Sequence, residues 1–302
     1  MSVYVERLIR APIESVWNKS QQPDQHQRWD LRFTRIEYLD RVDATEPQRF
    51  RYTTRLGFGL AIRGDGESVG ERDLPDGSRT SSLRFWSNQP ISLIREGRGY
   101  WKYLPIGPDT RFLTSYDYET RFGAFGSVVD RAIFRPLIGW ATAWSFDRLA
   151  MWLEDGVDPV STARAALIHL VARGTFAFVF AYQGLVPKLL GPGPDEVRML
   201  RDAGVPTGSI IQLLSVIGVG EIGFALVALL AWHRAFPAWV VVFGLIVTTF
   251  GLALTSPDVF SAAFNPIALN LGIIALAAID LIVLPGAPDA GRCRRRPTQA
   301  AS

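Results

Sequence analysis

Along residues 1–122 apolar and polar positions alternate in short runs, whereas residues 161–284 carry long apolar stretches. The alternating runs cover 3–10, 33–39, 48–56, 60–71, 79–86, 91–103 and 111–122, rich in Tyr, Phe, Thr and Arg, and they predict strands. Gly-Asp-Gly at 64–66, Pro-Asp-Gly at 75–77 and Gly-Pro-Asp at 107–109 read as turns. Gly57-Phe58-Gly59 lies between two runs and reads as a turn or bulge. Arginines on one face and aromatics on the other are what a half-buried antiparallel sheet requires. Residues 12–20 predict a short helix with Pro12 at its start, and 21–30 a polar connection holding Trp29. From 127 to 154 the period becomes helical, through Val128, Ile133, Phe134, Leu137, Ile138, Ala141, Trp144, Leu149 and Trp152. This predicts one long amphipathic helix, kinked near Pro136 and ended by the Gly-Val-Asp-Pro at 156–159.

The apolar stretches at 164–186, 209–232, 237–255 and 266–284 each approach the ~20 residues that cross a hydrocarbon core of ~30 Å. Four in succession, joined by loops with Pro, Gly and charge, predict a bundle of membrane-spanning helices. Arg164 precedes the first, His233-Arg234 follows the second, and the arginines at 292 and 294–296 follow the fourth. The loop at 256–265 has no Lys or Arg. That bias places both termini in the cytoplasm.

Charge adds to this division. Residues 1–160 hold 22 Lys+Arg and 22 Asp+Glu, so the net +3 arises wholly in the second half. Balanced charge in the first half argues against nucleic-acid binding. The Arg-rich tail at 285–302 has a simpler role as a cytoplasmic flank. The single cysteine, Cys293, excludes an internal disulfide and is expected to be an exposed thiol in that tail. Three unclustered histidines and one cysteine give no metal site. The opening MSVYVERLIRAP has no uncharged apolar core of signal-peptide length, so export of the first half is not expected.

The opening strand, then Ala11-Pro12-Ile13-Glu14-Ser15-Val16-Trp17, His26-Gln27-Arg28-Trp29-Asp30, the run of strands and a helix ending Arg148-Leu149-Ala150-Met151-Trp152-Leu153-Glu154 resemble the START-like (SRPBCC, polyketide cyclase) superfamily. The resemblance covers residues 1–157. It implies an α+β helix-grip: a curved antiparallel sheet around a long C-terminal helix, with an apolar cavity between them. Residues 162–284 resemble the DoxX-like family of small four-span membrane proteins. The resemblance is carried by Ala181-Tyr182-Gln183-Gly184-Leu185-Val186-Pro187-Lys188-Leu189, by Gly220-Glu221-Ile222-Gly223 and by Ala263-Phe264-Asn265-Pro266. It implies an all-α transmembrane bundle, and through the subunit that gave the family its name, an association with quinone-linked oxidoreduction.

Ionisable groups inside a span cost ~2.5–3.5 kcal/mol or more, which makes each a candidate functional residue. They are His169, Arg173, Glu221 and Asp280. At ~1.5 Å per residue, Arg173 and Glu221 lie ~13 and ~16 Å in from the cytoplasmic ends of their spans, and His169 and Asp280 ~7 and ~6 Å in. Matching depth predicts that Arg173 pairs with Glu221, and Asp280 with His169 or Arg164. Such pairs either fix helix register or handle protons or quinone. Asn270 and Gln212 suit interhelical hydrogen bonds, and Gly218, Gly220 and Gly223 close helix approach. In the first half Trp29, Phe85, Trp101 and Tyr116 are the candidate cavity residues, although any one aromatic is more often core. Phe85 and Trp86 alternate, so at most one faces inward. His26 beside Trp29 and Asp30 is the one polar cluster, and the simplest expectation for it is a solvated loop.

No nucleophile triad, paired carboxylates or phosphate loop appears, and no haem, flavin or iron–sulfur ligand motif. The expectation is therefore a protein that needs no cofactor of its own. The first function considered is a membrane protein whose cytoplasmic domain binds a lipid or isoprenoid-like ligand. The second is a membrane subunit of an oxidoreductase system whose redox centre sits on a partner. The expected partners are the bilayer, an apolar small molecule, and another protein or a second copy.

Overall fold

A computed structural model of the chain describes residues 2–41, 43, 46–261 and 265–297. It divides into two compact units. The first is formed by residues 1–162 with 288–302, the second by 163–287.

The first unit is built on seven antiparallel strands: β1 (Val3–Ile9), β2 (Arg35–Tyr38), β3 (Arg49–Gly57), β4 (Leu60–Asp73), β5 (Arg79–Trp86), β6 (Ile94–Ile106) and β7 (Asp109–Thr120). Their order is β1-β7-β6-β5-β4-β3-β2. Only the β1–β2 connection is long, and it holds α1 (Ile13–Gln21) and α2 (Pro23–Trp29). Residues 23–29, expected to be a polar connection, thus form a helix. Its sequence lacks the apolar periodicity by which helices are recognised, because only Trp29 is buried. The Gly-Asp-Gly at 64–66 is mid-strand rather than a turn. A side chain at Gly64 would meet the Tyr52 ring at 2.3 Å, and one at Gly66 the Phe50 ring at 2.4 Å. The glycines admit cross-strand aromatics instead of reversing the chain.

After β7 the chain enters α3 (Gly123–Val129), a π-helical turn at 130–134, and α4 (Arg135–Asp155). Pro136 sits in the first turn of α4, where its missing N–H costs little. The expected break therefore falls one turn earlier, in the π turn. Every residue of α4 from Thr142 to Met151 is buried, so its polar groups must be satisfied internally. Thr142 and Ser145 donate to Ile138 O and Ala141 O. Arg148 donates to Arg28 O, Trp29 O and Pro159 O.

Burial all around α4 has a second cause, and it corrects the expectation for the tail. Residues 288–297 belong to the first unit. Glu6 and Arg294 exchange both backbone hydrogen bonds, at 2.8 and 2.9 Å. Asp147 accepts from Asp289 N at 2.8 Å and is paired with Arg7 and Arg292. Cys293 is buried with Sγ 3.2 Å from Ala143 O, and burial pushes its thiol up to about 12. A short polar tail gives no hydrophobic pattern from which docking could be read.

In the second unit α5 (Pro159–Gly184, its first turn belonging to the first unit), α7 (Ile210–Leu230), α8 (Phe236–Thr255) and α9 (Pro266–Val283) are long and apolar enough to cross a membrane. Each matches an expected span to within a few residues. Only 11–28% of their apolar windows is buried, so most large side chains point outward, as lipid-facing helices do and soluble bundles do not. The interior is small: Phe176, Ala177, Ala228, Ala238, Val241, Ile273 and Ala277. Of the three glycines expected to permit close approach, Gly218 does so, lying against Gly184 O, whereas Gly220 and Gly223 face open space. Pro187 lies in a π-helical turn at 185–190 that follows α5, and a short helix α6 (Pro194–Asp202) precedes α7. The motif residues Ala263 and Phe264 lie outside the described residues; Asn265 caps α9 by accepting from Ala268 N.

Candidate functional sites

The spans bring three of the four intramembrane charges together. Asp280 on α9 is fully buried. His169 Nδ1 lies 2.5 Å from its Oδ1, and Arg173 donates to its Oδ2 from Nε and a terminal nitrogen at 3.1 and 2.6 Å. The i, i+4 spacing puts His169 and Arg173 on one face of α5. Arg173 also donates to Ala231 O, Trp232 O and Arg234 O, closing the C-terminal end of α7. Those carbonyls lie just past the last turn of α7, at the negative end of the helix dipole, where a guanidinium is favoured. His169 Nε2 is buried and has no hydrogen-bond partner among the described residues. The Trp232 ring meets the imidazole edge-on at 4.7 Å. On from Trp232, a pocket of about 430 Å³ is lined by Val227, Leu230, Ala231, Trp232, His233 and Arg234.

The pairing of Asp280 with His169 is therefore as expected, but Arg173 does not pair with Glu221. Depth along a span leaves open which face a residue occupies, and a long Arg side chain reaches well away from its own Cα. Glu221 is instead 3.1 Å from Lys188 Nζ, which also donates to Glu196 at 3.2 Å. The π turn at 185–190 carries Lys188 into that position, a displacement a regular helix count misses. Asn270 donates to Thr249 Oγ1 at 2.7 Å, linking α9 to α8, while Gln212 is exposed.

A second buried charge cluster lies in the first unit. The His26–Asp30 pair sits on one face across the end of α2, with His26 Nε2 2.9 Å from Asp30 Oδ2. Arg32 grips both oxygens of Asp30, at 2.9 and 2.6 Å. Burial alone would raise the Asp30 carboxyl, but the Arg32 charge and the hydrogen bonds from Arg32 and His26 hold it well below the usual carboxylate range. Burial pulls the His26 imidazole below its ordinary value, only partly offset by Asp30. The cluster is not a solvated loop. The His26 ring packs on Trp29, Phe33 and Trp101 at 4.8–5.2 Å, and Arg32 lies over Phe33 and Tyr116.

Trp29, Trp101 and Tyr116, three of the four candidate cavity residues, are buried, and Phe85 packs against the cluster of Val3, Tyr116 and Tyr118. Trp29 and Trp101 join Phe112 and Phe146 in a cluster of rings 4.4–6.5 Å apart, mostly edge-on or tilted. The aromatic layer between sheet and α4 thus surrounds a polar centre. Sequence reading missed Arg32. Its signal was a guanidinium two residues beyond a carboxylate at a helix end.

An antiparallel sheet closed on a long helix, followed by four membrane-length helices, defines a helix-grip domain fused to a membrane bundle. The DoxX-like family model matches residues 177–278. The uncharacterized membrane protein YndG of Bacillus subtilis (strain 168) is 41% identical over 233 residues, 77% of this chain and 78% of that protein. The chain belongs to the same family as that membrane protein, with a DoxX-like domain in its second half. A match of 233 residues is longer than either unit, so it includes part of both. Solved structures similar to about half of the chain include TTHA0849 from Thermus thermophilus (22% identity, 51% of this chain, 99% of that one, TM-score 0.39). Another is a STAR-related lipid transfer protein from Xanthomonas axonopodis (12%, 50%, 85%, TM-score 0.38). The fold assignment stands on strand order and helix placement without them.

Proposed function

We propose that this is a protein of the cytoplasmic membrane whose helix-grip domain, on the cytoplasmic side with both termini, binds an apolar, lipid- or isoprenoid-like molecule. The observation that carries the reading is the His26–Asp30–Arg32 group set among aromatic rings between sheet and helix. A few fixed polar groups in apolar walls are the usual make-up of small-molecule sites: the walls supply affinity and the polar groups orientation. Four spans keep such a domain beside a bilayer that holds the ligand. The even span count agrees with a fold in which residues before the first span and after the fourth share one domain. The test is native mass spectrometry of the full-length protein released from membranes. A bound apolar molecule is expected, with occupancy at least tenfold lower in His26→Phe. Wild-type protein that carries none, and takes up none from added lipid extract, overturns the reading.

A second reading is favoured by the buried His169 Nε2, which has no hydrogen-bond partner among the described residues, and by the packing of its ring on Trp232, a residue that lines a pocket. With Asp280 holding the proton on Nδ1, Nε2 is an acceptor for a lipid-soluble hydroxyl such as a hydroquinone, any redox centre belonging to a partner. In this reading His169→Phe abolishes quinone-linked activity of the membranes while the bundle stays folded. Unchanged activity removes it.

A further inference from the structure

The hairpin between β3 and β4 ends in a two-residue turn, with Gly57 paired to Leu60 and Phe58-Gly59 at the tip. Phe58 has φ +49° and Gly59 φ +77°, the left-handed pair a type I′ turn demands. Asn or Gly ordinarily fills the first of these places, since a bulky side chain there crowds its own backbone. Here a phenylalanine accepts that strain and buries nothing: it is completely exposed, between the exposed Leu56 and Leu60.

Strand register fixes what else lies at this end of the sheet. Asp65 pairs with Trp86, Trp86 with Glu96, and Ile94 with Thr120. The end of β3, the loop after β5 and the exit from β7 into α3 are therefore neighbours along one edge of the domain. Each presents apolar side chains to solvent: Ile91 on the loop, and Phe122, Phe125 and Val128 on the β7–α3 segment. Segments 55–63, 87–93 and 121–137 contain five arginines and a single acid, whereas residues 1–160 as a whole are balanced in charge. That acid, Asp130, is buried against Tyr118 and Arg135.

We propose that this end of the helix-grip domain inserts into the interface of an anionic bilayer, with Phe58 as its deepest residue. Exposed aromatics backed by arginines are the composition of interfacial anchors: the rings enter the acyl boundary while the guanidiniums stay with the headgroups. The four spans hold the domain at a bilayer, so the effective lipid concentration is high and even weak insertion is populated. Separate protruding tips suit a deformable lipid surface better than the self-complementary patch a second copy would need. The inference is independent of whether the interior binds a ligand.

The test uses full-length protein with Cys293→Ala, one copy per nanodisc of anionic lipid. An environment-sensitive fluorophore is placed at Phe58→Cys, at Phe125→Cys, or at Val69→Cys, an exposed site in mid-β4. At Phe58→Cys and Phe125→Cys, lipid-borne nitroxides are expected to quench the label at least twofold more than at Val69→Cys, with protection from iodide. The difference should shrink in discs of neutral lipid. Labels at Phe58→Cys as open to iodide as at Val69→Cys overturn the proposal. So does protection that appears only with two copies in a disc, which assigns the surface to self-association.

Discussion

Two carboxylates, Asp30 and Asp280, are each buried beside one histidine and one arginine, and the two clusters have little else in common. In the first unit all three partners lie within seven residues, His26, Asp30 and Arg32, and the His26 and Arg32 side chains keep some contact with water, at 12% and 15% exposure. In the bundle the carboxylate comes from the last span and its Arg173 and His169 partners from the first, 107 and 111 residues away, and all are shut in at 0–1%. The local cluster is made by the chain itself once α2 forms. The distant one exists only when α5 and α9 have packed, and it fixes their register as it forms. The comparison shows the same chemistry used at two ranges: once to place charge inside a site, once to lock helices for which lipid supplies little hydrophobic drive.

The largest expected effect separates the two. Asp280→Ala leaves the buried Arg173 guanidinium without a counter-charge and His169 Nδ1 without its hydrogen-bond partner, and should cost ~3–5 kcal/mol. Thermal unfolding in detergent should show it as loss of the folded bundle, and replacing His169 and Arg173 with Phe and Met in the same chain should recover most of it. Asp30→Ala should cost less, ~1–3 kcal/mol, because His26 and Arg32 can turn to water. Equal losses would break the contrast. A smaller effect sharpens it: a double-mutant cycle of Arg173→Met with Asp280→Leu should give coupling above ~1.5 kcal/mol, and with Glu221→Gln below ~0.5. Coupling to Glu221 instead would return the pairing to what depth alone suggests. The smallest effect is with pH. The folded His26 imidazole titrates below its ordinary 6.5, so as pH falls past that value the unfolded chain takes up a proton that the folded domain resists. Stability of the domain should decline as pH falls below about 6.5 and be flat above it. His26→Gln should remove that part of the slope.

Much of this architecture could be read along the chain. Strand alternation located all seven strands, β1 to β7, and the apolar stretches located the four spans, because both signals follow from which side of an element meets water or lipid. The candidate residues His169, Arg173 and Asp280 were legible because charge inside a span is costly wherever it points. Their partners were not. Lys188 reaches Glu221 only through a π turn, and Arg173 reaches the end of α7 by the length of its side chain. The helix at 23–29 was hidden because six of its seven residues are unburied, and Arg32 because its function depends on where α2 stops.

By itself, then, the sequence determined the division into a charged, alternating half and an apolar half, most of the elements in each, and which charges lie inside the spans. These follow from local periodicity and from solvation of single residues. Tertiary structure alone decided the pairing of those charges, the burial of His26, Asp30 and Arg32 among aromatic rings, and the return of residues 288–297 onto α4. These depend on rotation about helix axes, on side-chain reach and on contacts between residues more than a hundred positions apart. No local pattern encodes them.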